Sequence, residues 1–299
     1  MRGLMMVCAV LLLAGAVHAG DMRILIDPAG RVVRVPAQPR RVVALAPSLT
    51  EIAFAVGGGG QLVGRTSHAD YPPEAKALAV VGTYVNLSME RIALLRPDLC
   101  LAVRDGTPFK AVQDLERLGI PVFSVDTRTL DEIVEAVRAV GNVLGRGLEA
   151  ERVARGMQQD LERIRRLVAG TASRPRVLYQ ISVNPIISCG RGTHVDQLIT
   201  LAGGVNTAAG ATGYPRFGAE QALALAPDVV ILSSMDRETQ MSEAIAFWRQ
   251  WPQVPAVRAN RIVPMNSDLL DRPSPRLIQG LEELVLALHP ELAGQETRP

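Results

Sequence analysis

Aromatic residues, histidine and cysteine are scarce in this sequence of 299 residues. Aromatic side chains make up 4% of the chain, and only four histidines and three cysteines occur. No G-x-S-x-G, H-E-x-x-H or C-x-x-C motif is present, so common motifs of serine hydrolases, metalloproteases and dithiol redox proteins are missing. Three histidines lie beyond the first 19 residues, and their wide spacing argues against a dedicated zinc site: His68, His194 and His289.

A strong charge of either sign is also missing. The formal net charge is +2, and neither a basic tract nor an acidic tail occurs. Nucleic acid and anionic membrane surfaces are therefore poor candidates as partners. The four glycines at 57–60 follow a predicted helix and mark its end. A phosphate-binding loop instead follows a strand and opens a helix, so these glycines do not indicate one.

The longest apolar run lies at the N-terminus. Residues 1–19 contain Arg2, an apolar run through Leu13 and small residues at the end, which is typical of a cleaved secretory signal. Cys8 stands at the start of this run, whereas the lipid-bearing cysteine of a lipoprotein would follow it. No later apolar run approaches the ~18 residues of a membrane span. We therefore expect an exported, soluble protein.

Export would place Cys100 and Cys189 in an oxidising compartment, where a disulfide is permitted. Cys100 lies in a segment that is typical of a buried strand, and Cys189 lies in a loop beside glycine. A bond between them would join the two halves of the chain. We favour the alternative, in which both cysteines are unpaired.

Strand and helix patterns alternate through the first half of the chain. A hairpin is predicted at 23–36, with its turn at Pro28-Ala29-Gly30. Ser48 and Glu51 have the spacing of a capping box at the start of the helix SLTEIAFAVGG. Strands are predicted in RVVALAP, LVGRT, DLCLAV and PVFSVD, and further helices at 88–95, 108–118 and 130–143.

The second half repeats this layout, from the strand RVLYQIS to the last helix SPRLIQGLEELVLAL. Between the halves, apolar residues step by three and four along one helical face: Val153, Met157, Leu161, Ile164 and Val168.

These patterns predict an α/β protein with two Rossmann-like lobes, joined by one long backbone helix, and a ligand cleft between the lobes. We place the N-terminal lobe at 20–146, the connecting helix at 147–170 and the C-terminal lobe at 171–292.

One phrase occurs twice, 130 positions apart. MERIALLRPDL at 89–99 and AEQALALAPDV at 219–229 both have helical spacing and a Pro-Asp pair. Glu90 and Glu220 precede that pair by the same seven residues. A charge repeated at a fixed place suggests that the two glutamates are used together.

From Arg41 to Leu288 the chain resembles the helical-backbone class of periplasmic substrate-binding proteins, which serve ABC importers of cobalamin, haem and ferric siderophores. The phrases that carry the resemblance are LAPSLTEIAFAVG, HADYPPEA, NLSMERIALLRPDL, NPIISCG and SDLLDRPSPRL. They are most similar to those of the cobalamin-binding members. The resemblance implies a periplasmic monomer without catalytic activity or cofactor, which binds a corrinoid and delivers it to a permease.

The resemblance also implies site residues. Tyr84 and Tyr214 match positions where tryptophans face the corrin ring, and Asp268 and Arg272 match the segment that touches the polar rim of the ligand. His68 replaces a family tyrosine. Two further positions lack the rings that the family has there: Val103 replaces a tryptophan and Ile181 a phenylalanine.

Each of these residues has a simpler alternative interpretation. Tyr84 fits an ordinary strand-end tyrosine and Tyr214 a residue of loop packing. Asp268 and Arg272 fit a helix-capping and ion-pair set, and His68 fits a surface histidine. A metal-ligating role for His68 stays open, because imidazole binds transition metals.

In the same family, one exposed glutamate on each lobe contacts arginines of a two-fold symmetric permease in the inner membrane. Glu90 and Glu220 match these docking residues. The alternative is that each glutamate only stabilises the first turn of its helix.

Two classes of function therefore stand side by side. The first is a binding protein for cobalamin or another corrinoid, with haem or a ferric siderophore as the alternative ligand. The second is an exported enzyme or metal-handling protein that uses the same cleft.

Overall fold

Two sheet-containing lobes form the fold, and the computed structural model describes residues 21–28, 30–233 and 239–294. The first lobe contains β1 (Met22–Ile26), β2 (Val32–Pro36), β3 (Val42–Ala44), α1 (Pro47–Ala55), β4 (Leu62–Arg65), β5 (Ala79–Val80), α2 (Met89–Leu94), β6 (Leu99–Val103), α3 (Phe109–Arg117), β7 (Val122–Val125) and α4 (Leu130–Val143). The connecting helix is α5 (Gly147–Ala169).

The second lobe contains β8 (Arg176–Ser182), β9 (Ile186–Ser188), α6 (His194–Leu201), β10 (Val205–Asn206), β11 (Arg216–Phe217), α7 (Ala219–Ala224), β12 (Val229–Leu232), α8 (Thr239–Arg249), α9 (Pro255–Arg258), β13 (Ile262–Pro264), α10 (Ser267–Leu270) and α11 (Leu277–Leu288). The α/β fold with two lobes is confirmed. The predicted secretory signal at 1–19 and Ala29 of the predicted hairpin turn lie outside the described residues.

Five parallel strands form the sheet of the first lobe, in the order β5-β4-β3-β6-β7. Successive residues of β6 point to opposite faces, as a strand requires. Leu99 and Leu101 join the core that includes α1, α4 and α5, whereas Cys100 and Ala102 join a second core against α3. The strand is fully buried because helices cover both faces of the sheet.

The sheet of the second lobe has the order β11-β9-β8-β12-β13, and β10 pairs with the start of β8. Strands β8, β10, β12 and β13 are parallel, whereas β9 and β11 are antiparallel to their neighbours. The antiparallel strands have only three and two residues. Segments this short carry too little periodicity to be predicted from sequence.

The connecting helix α5 has 23 residues, and at 1.5 Å per residue it is about 35 Å long. Its buried face includes Met157, Leu161, Ile164 and Val168. This face contacts α4 of the first lobe and α6 and α11 of the second. One continuous apolar core therefore runs through both lobes along the helix.

Cys100 and Cys189 are both free and buried, so the alternative of two unpaired cysteines is confirmed. Burial raises the pKa of each thiol well above its usual range. Within the described residues, no helix has the length and apolar character needed to cross a membrane.

The predicted capping box at α1 is wrong. The helix begins at Pro47, and its N-cap residue, Ala46, makes no side-chain capping hydrogen bond. The side chain of Glu51 does not cap the N-terminus of its own helix. Its carboxylate binds residues of the second lobe instead, as described below.

Candidate functional site

The two lobes face each other through loops that follow the carboxyl ends of their strands. In the first lobe these are the loop at 66–72 after β4, Tyr84 after β5 and Asp105 after β6. In the second lobe they are the segment around Tyr214 and the segment at 266–276 after β13. We call the space between these loops the interlobe cleft. Open α/β sheets bind ligands at this end of their strands.

Tyr84 is half-buried and rests on the loop after β6. A Cβ atom added at Gly106 would lie 1.3 Å from the hydroxyl oxygen of Tyr84, so the tyrosine lies where only glycine leaves room. Burial, with a smaller contribution from the charge of Asp105, raises the pKa of Tyr84 to about 12. The phenol therefore stays neutral at physiological pH.

Tyr214 is 58% exposed and precedes the short strand β11. Desolvation by the surrounding protein raises the pKa of its hydroxyl to about 12, with smaller contributions from Cys189, Asp271, Tyr84 and Asp105. Tyr84 and Asp105 belong to the other lobe. The pKa of Tyr214 thus responds to titratable groups of the opposite lobe, and a role of either tyrosine in ligand contact stays a prediction.

Arg272 lies at the centre of a cluster of carboxylates. Its guanidinium contacts Asp268 at 2.6 Å, Glu51 at 3.1 Å and Asp70 at 3.2 Å. Its side chain is only 9% exposed. Asp268 and Arg272 thus form the ion pair of the simpler interpretation, and a role in ligand contact stays a prediction.

Glu51 completes the connection between the lobes. Its side chain is 1% exposed, and it accepts hydrogen bonds from Ser274 at 2.6 Å, Arg272 at 3.1 Å and Arg276 at 3.2 Å. The guanidinium of Arg276 also lies 3.6 Å from the ring centre of Tyr71. We call the set of Glu51, Arg272, Ser274 and Arg276 the interlobe ionic cluster.

A cavity of about 440 Å³ lies beside this cluster, between Phe54 and Tyr71 of the first lobe and Pro275 of the second. Partial burial opposes the ionisation of Asp70, but the hydrogen bond and charge of Arg272 outweigh it and lower the pKa of the carboxyl. Asp70 is therefore charged at neutral pH, and it strengthens the contact between the lobes.

Sequence reasoning missed the role of Glu51. Its neighbours in α1 are buried, so an acidic residue within this apolar stretch pointed to a buried ionic contact. The local spacing of Ser48 and Glu51 suggested a capping box instead. The actual partners of Glu51 were missed because they lie more than 200 residues away in sequence.

Asp271 is a second acidic group that the sequence did not single out. It accepts hydrogen bonds from the hydroxyl groups of Tyr179 at 2.6 Å and Ser233 at 2.8 Å. Burial raises the pKa of Asp271. The pKa of Tyr179 is also raised, first by burial and then by Asp271. This set fixes the middle of β8 and the end of β12 to the segment that carries Asp268 and Arg272.

His68 is exposed in the loop after β4, two residues before Asp70. Val103 and Ile181, the two positions where the family has aromatic rings, belong to the apolar core or pack against it. They supply no ring to the cleft. Among the described residues, no group of three or more histidine, cysteine, aspartate or glutamate side chains is placed to hold a metal ion.

The repeated phrase forms the same local structure in both lobes. Glu90 and Glu220 are exposed in the first turns of α2 and α7. A non-glycine residue with positive φ follows each helix two positions after its last residue, Arg96 at 46° and Ala226 at 41°. These residues come directly before the Pro-Asp pairs.

The aspartates of the Pro-Asp pairs explain why the phrase recurs. Asp98 accepts a hydrogen bond from the backbone N–H of Arg41 at 3.0 Å, and Asp228 accepts one from that of Arg176 at 2.9 Å. The side chains of both arginines donate to a carbonyl at the end of the helix, at 2.7 Å in each lobe. Each helix is thereby fixed to the first strand of its sheet, and the two glutamates occupy equivalent places.

The chain is similar to known proteins over most of its length. A family model described as "Periplasmic binding protein" matches residues 42–269. A protein of Pectobacterium carotovorum named "Vitamin B12-binding protein" is 32% identical over 250 residues, which are 83% of this chain and 88% of the relative.

Solved structures show the same similarity in three dimensions. The periplasmic vitamin B12 binding protein BtuF of Vibrio cholerae matches with a TM-score of 0.76 and 32% identity, over 87% of this chain and 100% of that one. The periplasmic heme-binding protein RhuT from Roseiflexus sp. RS-1, in its apo form, matches with a TM-score of 0.76 and 29% identity, over 84% of this chain and 98% of that one.

Proposed function

The chain belongs to the periplasmic binding protein family, and on that premise we propose that it captures a corrinoid, cobalamin or a related cobamide, and delivers it to an ABC importer of the inner membrane. It binds the ligand in the interlobe cleft and releases it unchanged, without turnover. The N-terminal signal directs the protein to the periplasm and is then removed.

The position of the two tyrosines supports a flat ring as ligand. Tyr84 rests on Gly106 of the first lobe and Tyr214 is 58% exposed in the second, among the loops that border the cleft, and both stay neutral because the pKa of each is about 12. Aromatic faces cover a large planar ring well, and neutral hydroxyls donate hydrogen bonds at its edge. This is the single observation that carries the proposal.

The polar groups around the tyrosines suit the amides at the rim of a corrinoid. Asp268 is held by Arg272 at 2.6 Å and remains partly accessible, with 16% of its side chain exposed. A carboxylate accepts hydrogen bonds from primary amides. His68, on the opposite lobe, lies in an exposed position where it can contact the ring.

Delivery uses the equivalent glutamates of the two lobes. Glu90 and Glu220 are exposed at the starts of α2 and α7, where a two-fold symmetric permease can contact both with the same arginines on its two subunits. Charges at the edge of an interface set the orientation and rate of association.

Haem is the second candidate ligand, because the similarity to a haem-binding protein is comparable in TM-score. Equilibrium dialysis of the signal-free protein against cyanocobalamin, haemin and zinc separates the candidates. We expect saturable binding of cyanocobalamin at one site per chain and little binding of the others. Binding of haemin alone would assign the cleft to haem, and binding of none of the three would contradict the proposal.

A further inference from the structure

Asp105 lies in the loop after β6 that borders the interlobe cleft, next to the place where Tyr84, one of the two predicted ring contacts, rests. It follows the end of β6 by two residues and immediately precedes Gly106, on which the hydroxyl of Tyr84 rests. It also acts electrostatically on Tyr214 of the other lobe. Its side chain is 51% exposed, so its carboxylate remains open to a bound molecule.

One cation partly balances this carboxylate. Nε of Arg128 lies 3.1 Å from Asp105, and Nη2 of the same arginine lies 3.1 Å from Glu132. Arg128 is therefore shared between two acids and is itself 49% exposed. Arg104, the neighbour of Asp105, pairs with Asp126 at 3.2 Å instead. Three acidic side chains and two arginines are paired here, so the net charge around Asp105 is negative.

A negative group at this place distinguishes two kinds of ring ligand. Primary amides donate hydrogen bonds to a carboxylate, whereas carboxylate side chains of a ligand meet the repulsion of a like charge. The neutral hydroxyls of Tyr84 and Tyr214 accept either ligand, because a hydroxyl group both donates and accepts hydrogen bonds. Discrimination between the two ligands therefore falls on charged residues, of which Asp105, with 51% of its side chain exposed, is more open to a ligand than Asp268, with 16%.

We infer that Asp105 is a specificity-determining residue of the cleft, which selects a ring whose side chains end in amides over a ring whose side chains end in carboxylates. This inference rests on the proposed function, because it concerns how the same cleft recognises a corrinoid. Arg128 tunes the selection by partly neutralising Asp105.

Two probes with the same macrocycle test this role. Cobinamide carries amides around the corrin ring, and cobyrinic acid carries carboxylates at those positions. Affinities are measured by calorimetry for the wild type, Asp105→Asn and Arg128→Gln. Both residues are about half exposed, so neither substitution disturbs the core. We expect the wild type to prefer cobinamide by about tenfold or more, as like-charge repulsion at a recognition site predicts.

The two variants should then change this preference in opposite directions. Asp105→Asn removes the charge and should reduce the preference several-fold, chiefly by improving the affinity for cobyrinic acid. Arg128→Gln leaves Asp105 without its cation and should increase the preference. A purely structural ion pair would make the two variants behave alike, because each breaks the same contact.

Equal changes for both probes in both variants would overturn the inference and leave the proposed function intact. An unchanged preference in Asp105→Asn would have the same consequence. A wild-type protein that binds cyanocobalamin but neither probe would overturn this inference alone, and one that binds none of the three would overturn the proposed function as well.

Discussion

Glu51 and Arg272 join the two lobes through a contact of 3.1 Å between their side chains, although 221 positions separate them in the sequence. Both side chains are almost completely removed from solvent. Ser274 and Arg276 bind the same carboxylate, so the first helix of one lobe is attached to the segment at 266–276 of the other at three points. The relative position of the lobes thus depends on one buried acid as well as on the connecting helix.

Replacing Glu51 by alanine should destabilise the protein strongly. The substitution leaves two arginines without their buried partner, and breaking a buried ion pair in this way costs roughly 3–5 kcal/mol of the free energy of unfolding. Asp70→Asn is the matched control, because Asp70 also contacts Arg272 but its side chain is 48% exposed. Exposed pairs contribute about 0–1 kcal/mol. Urea unfolding of both variants measures the difference, and equal losses would show that burial does not decide the strength of this cluster.

Much of the fold could be predicted because its strongest elements depend on local pattern. The helix α4 and the strand β8 have the predicted bounds, since the apolar periodicity of the first and the apolar run of the second are each bordered by turn residues. The connecting helix α5 could be predicted from one apolar stripe with a period of 3.6 residues.

The cleft could be predicted less completely, because its contacts join residues far apart in the chain. Resemblance indicated Tyr84 and Tyr214, and their contact with a ligand stays a prediction. The one local sign of the role of Glu51 was its place within an apolar stretch of α1, and nothing local distinguished Asp105. The roles of both depend on which residues the other loops bring near them. Asp105 is one acidic loop residue among many until Tyr84 and Arg128 are placed beside it.

Gly106 should be required for ligand binding through the position of Tyr84. In Gly106→Ala the new methyl group would occupy the place of the tyrosine hydroxyl, so the ring must move away from the cleft wall. We expect the affinity for cyanocobalamin to fall by about tenfold, equivalent to losing about 1.4 kcal/mol of aromatic contact. Gly60→Ala is the control, since an added Cβ there meets nothing within 4 Å. If the two variants bind cyanocobalamin with similar affinity, Tyr84 does not contribute to the binding site.

Glu90 and Glu220 should be needed for uptake and not for binding. The double substitution to alanine removes two exposed charges outside the cleft, so the affinity for cyanocobalamin should stay within about twofold. Uptake through the permease should be abolished, because the charges that set the docking orientation are lost. Uptake of cyanocobalamin into vesicles that contain the reconstituted permease measures this, with Glu90→Ala and Glu220→Ala as single controls. Normal uptake by the double variant would show that the glutamates serve only their own helices.

The stability of the protein should decrease on acidification through His194. This imidazole is buried and hydrogen-bonded to the carbonyl of Leu270 at 2.9 Å, and burial lowers its pKa. The unfolded chain binds a proton near pH 6.5, whereas the folded chain resists protonation to lower pH. Stability is therefore constant above that pH and falls below it, by up to about 1.4 kcal/mol per pH unit. Urea unfolding at pH 7 and pH 5 should show a smaller loss for His194→Gln, and identical losses would assign the acid sensitivity to other groups.

His68 should act as a ligand of cobalt when the corrinoid lacks its own lower base. The side chain is exposed in the loop after β4, at the edge of the interlobe cleft, and the family presents a tyrosine at the matching position. Imidazole coordinates transition metals through either ring nitrogen, and a cobinamide leaves an axial position of cobalt open. Coordination would let this protein hold incomplete corrinoids that a tyrosine could only cover. Titration with aquocobinamide should therefore shift its visible absorption bands, and His68→Ala should remove the shift and weaken binding. The other described histidines, His194 and His289, are buried and cannot replace it. If the spectrum of the wild-type complex equals that of free aquocobinamide while binding is retained, His68 only contacts the ring, and its imidazole plays no part in holding the metal.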